Sequence, residues 1–123
     1  MPQLHAFILD TFSQQQKKEL IQAFTDALIN NVAAARHQTR IMIGYVRHDE
    51  TALGGEIGAP IAMLFVYMLR GRTDEQKANL IRALAEETER ILGVDKSTVR
   101  TLIQDMQPNN VGIGANTALA LGR

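Results

Sequence analysis

The sequence predicts an α+β fold built from α/β-type units: two tandem β-α-β halves forming one four-stranded sheet, with two helices on one face. Three observations predict it. First, the second half lies on the first at a constant, ungapped shift of 60 residues, matching Gln16-Lys17 to Gln76-Lys77, Leu20-Ile21 to Leu80-Ile81, Arg40 to Arg100 and Gly54 to Gly114. Matches that keep one register across strands, helices and glycine turns are the signature of a tandem duplication. Second, each half alternates strand-like and helix-like periodicity. Third, Ile61 to Leu69 is apolar at every position, as in a strand covered on both faces.

Taken in chain order, Leu4 to Leu9 is the first strand. Ser13 with Gln16 then forms a capping box, in which hydroxyl and amide satisfy orphan backbone donors at a helix start. Leu20, Ile21, Phe24, Ala27, Leu28 and Val32 recur at helical spacing as one apolar stripe, with Lys17, Lys18, Gln22 and Asp26 largely off it. Thr39 to Val46 is the returning strand, followed by a short glycine hairpin. In the second half Thr73 and Gln76 repeat the box. Leu80, Ile81, Leu84, Ile91 and Leu92 repeat the stripe, Gly93 suits the residue past a helix end, and Thr98 to Met106 is the last strand. Each strand-helix-strand unit should be parallel and right-handed, leaving the second sheet face without helices. That face is apolar too, which predicts closed oligomerisation through it.

The chain of 123 residues fits one domain, 1–123, made of repeats 2–59 and 60–123. Thirteen Lys plus Arg balance thirteen Asp plus Glu, so no net field favours nucleic acid or an anionic membrane, and neither partner is expected. The absence of cysteine rules out disulfides, thiolate metal sites and a cysteine nucleophile. The amino terminus has no basic leader and turns polar at Asp10, and no run is long enough to span a bilayer, so a soluble cytoplasmic protein is expected. His5, His37 and His48 lack metal-ligand spacing and read as solvated. The glycines at Gly54-Gly55 and Gly112 to Gly114 are not followed by Gly-Lys-Ser/Thr, so no nucleotide site is assigned.

The opening Pro2, Gly71-Arg72-Thr73-Asp74-Glu75-Gln76-Lys77, Ser97-Thr98-Val99-Arg100 and Val111-Gly112-Ile113-Gly114 together closely resemble 4-oxalocrotonate tautomerase. The first half adds Arg40 and Gly54-Gly55-Glu56, so the resemblance covers nearly the whole chain. It implies a fused pair in place of a dimer, and a homotrimer in place of the hexamer of the short members. It also implies a cofactor-free tautomerase, an isomerase acting on a small carboxylate substrate, with Pro2 as general base. Once Met1 is removed Pro2 is a secondary amine, and burial and neighbouring arginines disfavour its protonated form. An internal proline has an amide nitrogen, and at the shift of 60 Ala62 stands opposite Pro2, so one such site per chain is expected.

Arg72 matches the substrate-binding arginine of the resemblance, while the first half has Phe12 there. Arg70 would share a face with Arg72 if the strand still runs. This Arg-x-Arg pair also resembles malonate semialdehyde decarboxylase, and more loosely the cis-3-chloroacrylic acid dehalogenases; where the decarboxylase has aspartate this chain has Gln38. Arg40 and Arg100 both match the second arginine, which polarises the substrate carbonyl from a neighbouring subunit, and the sequence does not choose between them. The aromatic wall is replaced by Thr51 and Val111. The alternatives are a hydratase, dehalogenase or decarboxylase, needing a carboxylate such as Glu56 or Asp105 near water, and a non-catalytic trimer that binds small anions.

Overall fold

The computed structural model describes all 123 residues. Strand β1 (Gln3–Leu9) leads into helix α1 (Gln14–Val32), strand β2 (Arg40–Val46) and a two-residue hairpin, β3 (Ala52–Leu53) and β4 (Glu56–Ile57). The second half repeats this as β5 (Ala62–Leu69), α2 (Asp74–Leu92), β6 (Val99–Met106) and the hairpin β7 (Gly112–Ile113) and β8 (Asn116–Thr117). Short 3-10 turns precede each returning strand and each hairpin, so Thr98, expected in the strand, lies in the turn Lys96–Thr98.

Both capping boxes form: Ser13 Oγ and Thr73 Oγ1 accept from the Gln16 and Gln76 amides at 3.1 Å, and each glutamine oxygen accepts from its cap N–H at 2.9 Å. Gly93 ends α2 in the left-handed region at φ 72°, as expected of glycine there. At the matching place in the first half Ala33 adopts φ 55°, a conformation that costs a residue with a Cβ about 1–2 kcal/mol.

The sheet order is β2-β1-β5-β6, with β1 parallel to β2, β5 parallel to β6 and the central pair β1 and β5 antiparallel. The two units are thus related by a local two-fold, and their helices run side by side. Alternation decides which residues meet them. Leu4, Ala6, Ile8, Leu64, Val66 and Met68 are buried against Leu20, Phe24, Leu28, Leu80 and Leu84 in one continuous core. The duplication extends to lysine contacts: Lys17 sits 4.1 Å over the Tyr45 ring, and Lys77 pairs with Asp105 at 2.6 Å.

The opposite sheet face carries His5, Phe7, Phe65 and Tyr67, with His5 and Tyr67 rings 5.5 Å apart and Phe7 edge-on to Phe65 at 5.8 Å. Its rims are open, with Met42 64% and Leu102 51% exposed. Gly44 belongs to this face because a Cβ there would stand 3.1 Å from the Phe7 ring. His5 is therefore half-buried on an apolar face, where its ring packs on Tyr67, rather than solvated. No helix is long and apolar enough to cross a membrane.

Candidate active site

Strand directions decide what gathers around Pro2. Parallel pairing puts the start of β2 beside the start of β1: Gln3 lies opposite Arg40, and the Arg40 N–H donates to the Pro2 carbonyl at 3.2 Å. Antiparallel pairing brings the end of β5 to the same end of the sheet, with Tyr67 opposite Gln3. Parallel pairing of β5 with β6 then adds Met106 and the β7–β8 hairpin. The Pro2 end is therefore built from both halves of the chain.

Pro2 itself is buried, and Met1 lies in the wall of a cavity of about 480 Å³. Its walls include Gln3, Gln38, Arg40 and Tyr67 together with Val111 to Gly114 and Arg123. No aspartate or glutamate belongs to its walls. The Met1 ammonium is held below its ordinary 8.0 first by burial, then by the charges of Arg123, Arg40 and Arg72. An amine here is poised toward its neutral, basic form by both causes. The Met1 ammonium lies 3.5 Å from the Gln38 backbone carbonyl.

The expected arginines divide. Arg40 lines the cavity. Arg72 is half-buried just outside its wall, donating through Nε to the Val32 carbonyl at 3.1 Å and through Nη1 to the Leu69 carbonyl at 3.0 Å. These bonds anchor it to the last turn of α1 and leave three of its five N–H groups free. Arg70 departs from expectation. The strand stops at Leu69 and Gly71 takes φ +121°, so the alternation that would align Arg70 with Arg72 ends before it begins. Arg70 is exposed, and its backbone N–H bonds the Met106 carbonyl at 3.1 Å. Arg100 lies opposite Met63 at the far end of the sheet, where it donates to the Ser97 carbonyl at 3.0 Å and lines a smaller depression of about 310 Å³. Within one chain, then, Arg40 accompanies Pro2 and Arg100 accompanies Ala62.

Neither carboxylate of the hydratase and decarboxylase alternatives stands at Pro2. Asp105 is on the helix side of the sheet in its ion pair with Lys77, and Glu56 is exposed in the β3–β4 hairpin; neither lines the cavity. A third depression, about 470 Å³, runs between the helices and is lined mainly by polar side chains such as Gln15, Lys18, Asp26 and Arg90, away from Pro2 and the candidate arginines.

Sequence reasoning missed Arg123, which at the shift of 60 falls opposite Met63 and has no arginine counterpart. It also read His37 as merely solvated; His37 is exposed and also lines this cavity. Gln38 was noticed only by alignment, and it does line the cavity.

Comparisons with known proteins agree with this geometry. The family model described as "Tautomerase enzyme" matches residues 63–118. A 2-hydroxymuconate tautomerase of Pseudomonas putida is 45% identical over 64 residues, which is 98% of that protein but 52% of this chain, as a doubled chain requires. A fused 4-OT solved as an asymmetric trimer superposes with a TM-score of 0.93 at 30% identity, covering 98% of this chain and 99% of that one. A chain solved after inactivation by 2-oxo-3-pentynoate superposes at 0.95, with 28% identity and the same coverage. The duplicated β-α-β architecture and these relatives together establish that the chain belongs to the tautomerase family, as a fused enzyme of the 4-oxalocrotonate tautomerase type.

Proposed function

We propose that the chain, after removal of Met1, is a cofactor-independent isomerase in which Pro2 takes the enol proton of a small 2-hydroxydienoate, or a proton from the carbon beside the carbonyl of a 2-oxo acid, and returns it elsewhere on the conjugated chain. The observation that carries this reading is a buried Pro2 at a cavity whose charged side chains are arginines. There the Met1 amine already titrates below its ordinary value because of burial and positive neighbours. The freed Pro2 nitrogen, one residue further in, meets the same influences. Arg72 and Arg40 hold substrate carboxylate and stabilise the developing enolate, Arg72 through its three free N–H groups. Arg70, at the exposed rim, contributes long-range positive charge that draws the anion in. Arg100 completes a site only across a subunit boundary, since in its own chain it stands at the Ala62 end.

The assembly we propose is a homotrimer, supported by the uncovered apolar sheet face and by the trimeric state of the fused relative. 2-Hydroxymuconate, the compound named for the Pseudomonas relative, is the first substrate to test. With processing verified by intact mass, Pro2→Ala should lower the rate by about 100-fold or more, the range of positioned general bases, while the trimer persists. Pro60→Ala, which alters an amide nitrogen, should retain the rate. Equal losses in the two variants would rule out the amino-terminal base.

A further inference from the structure

Arg123 reaches the cavity by a built route. Buried Ala118 anchors the tail: its carbonyl accepts the Arg123 N–H at 2.9 Å, while the Leu121 N–H donates to the Thr117 carbonyl at 3.2 Å. Gly122 supplies the reversal at φ +77°. The 3-10 turn Arg36–Gln38, tethered by the Arg36–Asp26 ion pair at 2.9 Å, presents Gln38. With the Gln38 amide turned so that its oxygen faces the guanidinium, that oxygen accepts from Nη1 at 2.7 Å and Nη2 at 3.0 Å. Orientation of an amide is chosen by its hydrogen bonds, and only this one satisfies both groups.

We propose that Arg123, held in the cavity wall by Gln38, is a second carboxylate contact that makes the site prefer dianionic substrates to monoanionic ones. The inference rests on the proposed tautomerase reading and names a residue beyond its Arg72 and Arg40. Its physical basis is the neutrality of Gln38. An amide oxygen fixes the guanidinium without itself carrying a formal charge, and no aspartate or glutamate side chain lines the wall beside it. Arg40 lines the same cavity, and Arg72 stands outside its wall on the α1 terminus. Positive charge therefore reaches the cavity from separate elements, an arrangement suited to the two ends of one acid.

The test compares 2-hydroxymuconate, a dianion, with phenylenolpyruvate, a monoanion, in the full-length trimer. Arg123→Gln should raise KM for the dianion about tenfold or more, with kcat little changed and the monoanion unaffected, since a charge-assisted contact is lost for one substrate only. Gln38→Glu should do the same, because the isosteric carboxylate would neutralise Arg123 in place. A merely structural Arg123 would instead be held more firmly by that ion pair. Equal effects on both substrates, or no effect, would overturn the proposal. If the wild-type trimer tautomerises neither compound, calorimetric titration with adipate and hexanoate decides the matter separately from the activity. Adipate affinity falling in both variants supports Arg123 as the contact, and unchanged affinity refutes it.

Discussion

Arg72 is a structural residue as well as a candidate ligand for substrate, and the two roles separate by measurement. Replacing it with alanine removes two hydrogen bonds from a charged donor, at 3.1 and 3.0 Å, to the carbonyls of Val32 and Leu69. Such bonds contribute about 1.5–3 kcal/mol each when buried. Arg72 is only half-buried, and water can replace part of what is lost, so the pair should be worth about 2–3 kcal/mol together. Part of that sum is the favourable placement of a cation at the C-terminal end of α1. Arg70→Ala is the internal control: the side chain is exposed and makes no hydrogen bond, so its loss should stay within about 0.5 kcal/mol. Urea unfolding followed by circular dichroism, at matched protomer concentration because association adds to stability, should give Arg72→Ala a midpoint lower by roughly 1 M or more. Coincident midpoints for Arg72→Ala and Arg70→Ala would refute the anchoring of α1 by Arg72.

Other expectations follow from single features. Gly71→Ala forces a Cβ into φ +121° between the two arginines, at a cost of about 1–3 kcal/mol, and should lower both the melting temperature and the activity; an unchanged melting curve would contradict the strain. Leu102→Glu sets a charge on the uncovered sheet face and should shift sedimentation from trimer toward monomer, whereas an intact trimer would exclude that face as the interface. In protein that retains Met1, the amino terminus should titrate below 8.0 by NMR, and Arg123→Gln should move it back upward. The sign for stability follows: between the lowered value and 8.0 the unfolded chain binds more protons, so stability rises with pH through that window and is flat outside it.

The fold was legible because duplication makes each weak local signal appear twice. The capping boxes, the helix stripes and the apolar run Ile61 to Leu69 fell where the elements form, with ends displaced by a residue or so at the 3-10 turns. The antiparallel joining of β1 to β5 carries no local signature and emerged only in three dimensions. Of the candidate site, Pro2, Arg40 and Arg72 were visible as motifs, and the structure brings them to one end of the sheet. Pro2 lies outside the residues matched by the family model, which begin at 63, so the repeat was the clue that tied it to Arg72. The shared face of Arg70 and Arg72 was conditional on the strand continuing, and the strand stops at Leu69. Arg123 was invisible because its position depends on a tail turn specific to the second half, beyond the reach of repeat or periodicity.

The central claim is that one nitrogen, that of Pro2, is the reactive base. Its most direct test is exposure of the processed trimer to 2-oxo-3-pentynoate, the inactivator used on the structural relative, followed by peptide mapping of the added mass. A free, neutral secondary amine in the cavity is the strongest nucleophile the site offers, whereas Pro60 is acylated and unreactive. One label per chain is expected, on Pro2, appearing in step with loss of tautomerase activity. Label on a histidine or lysine, or full inactivation with Pro2 unmodified, would contradict it.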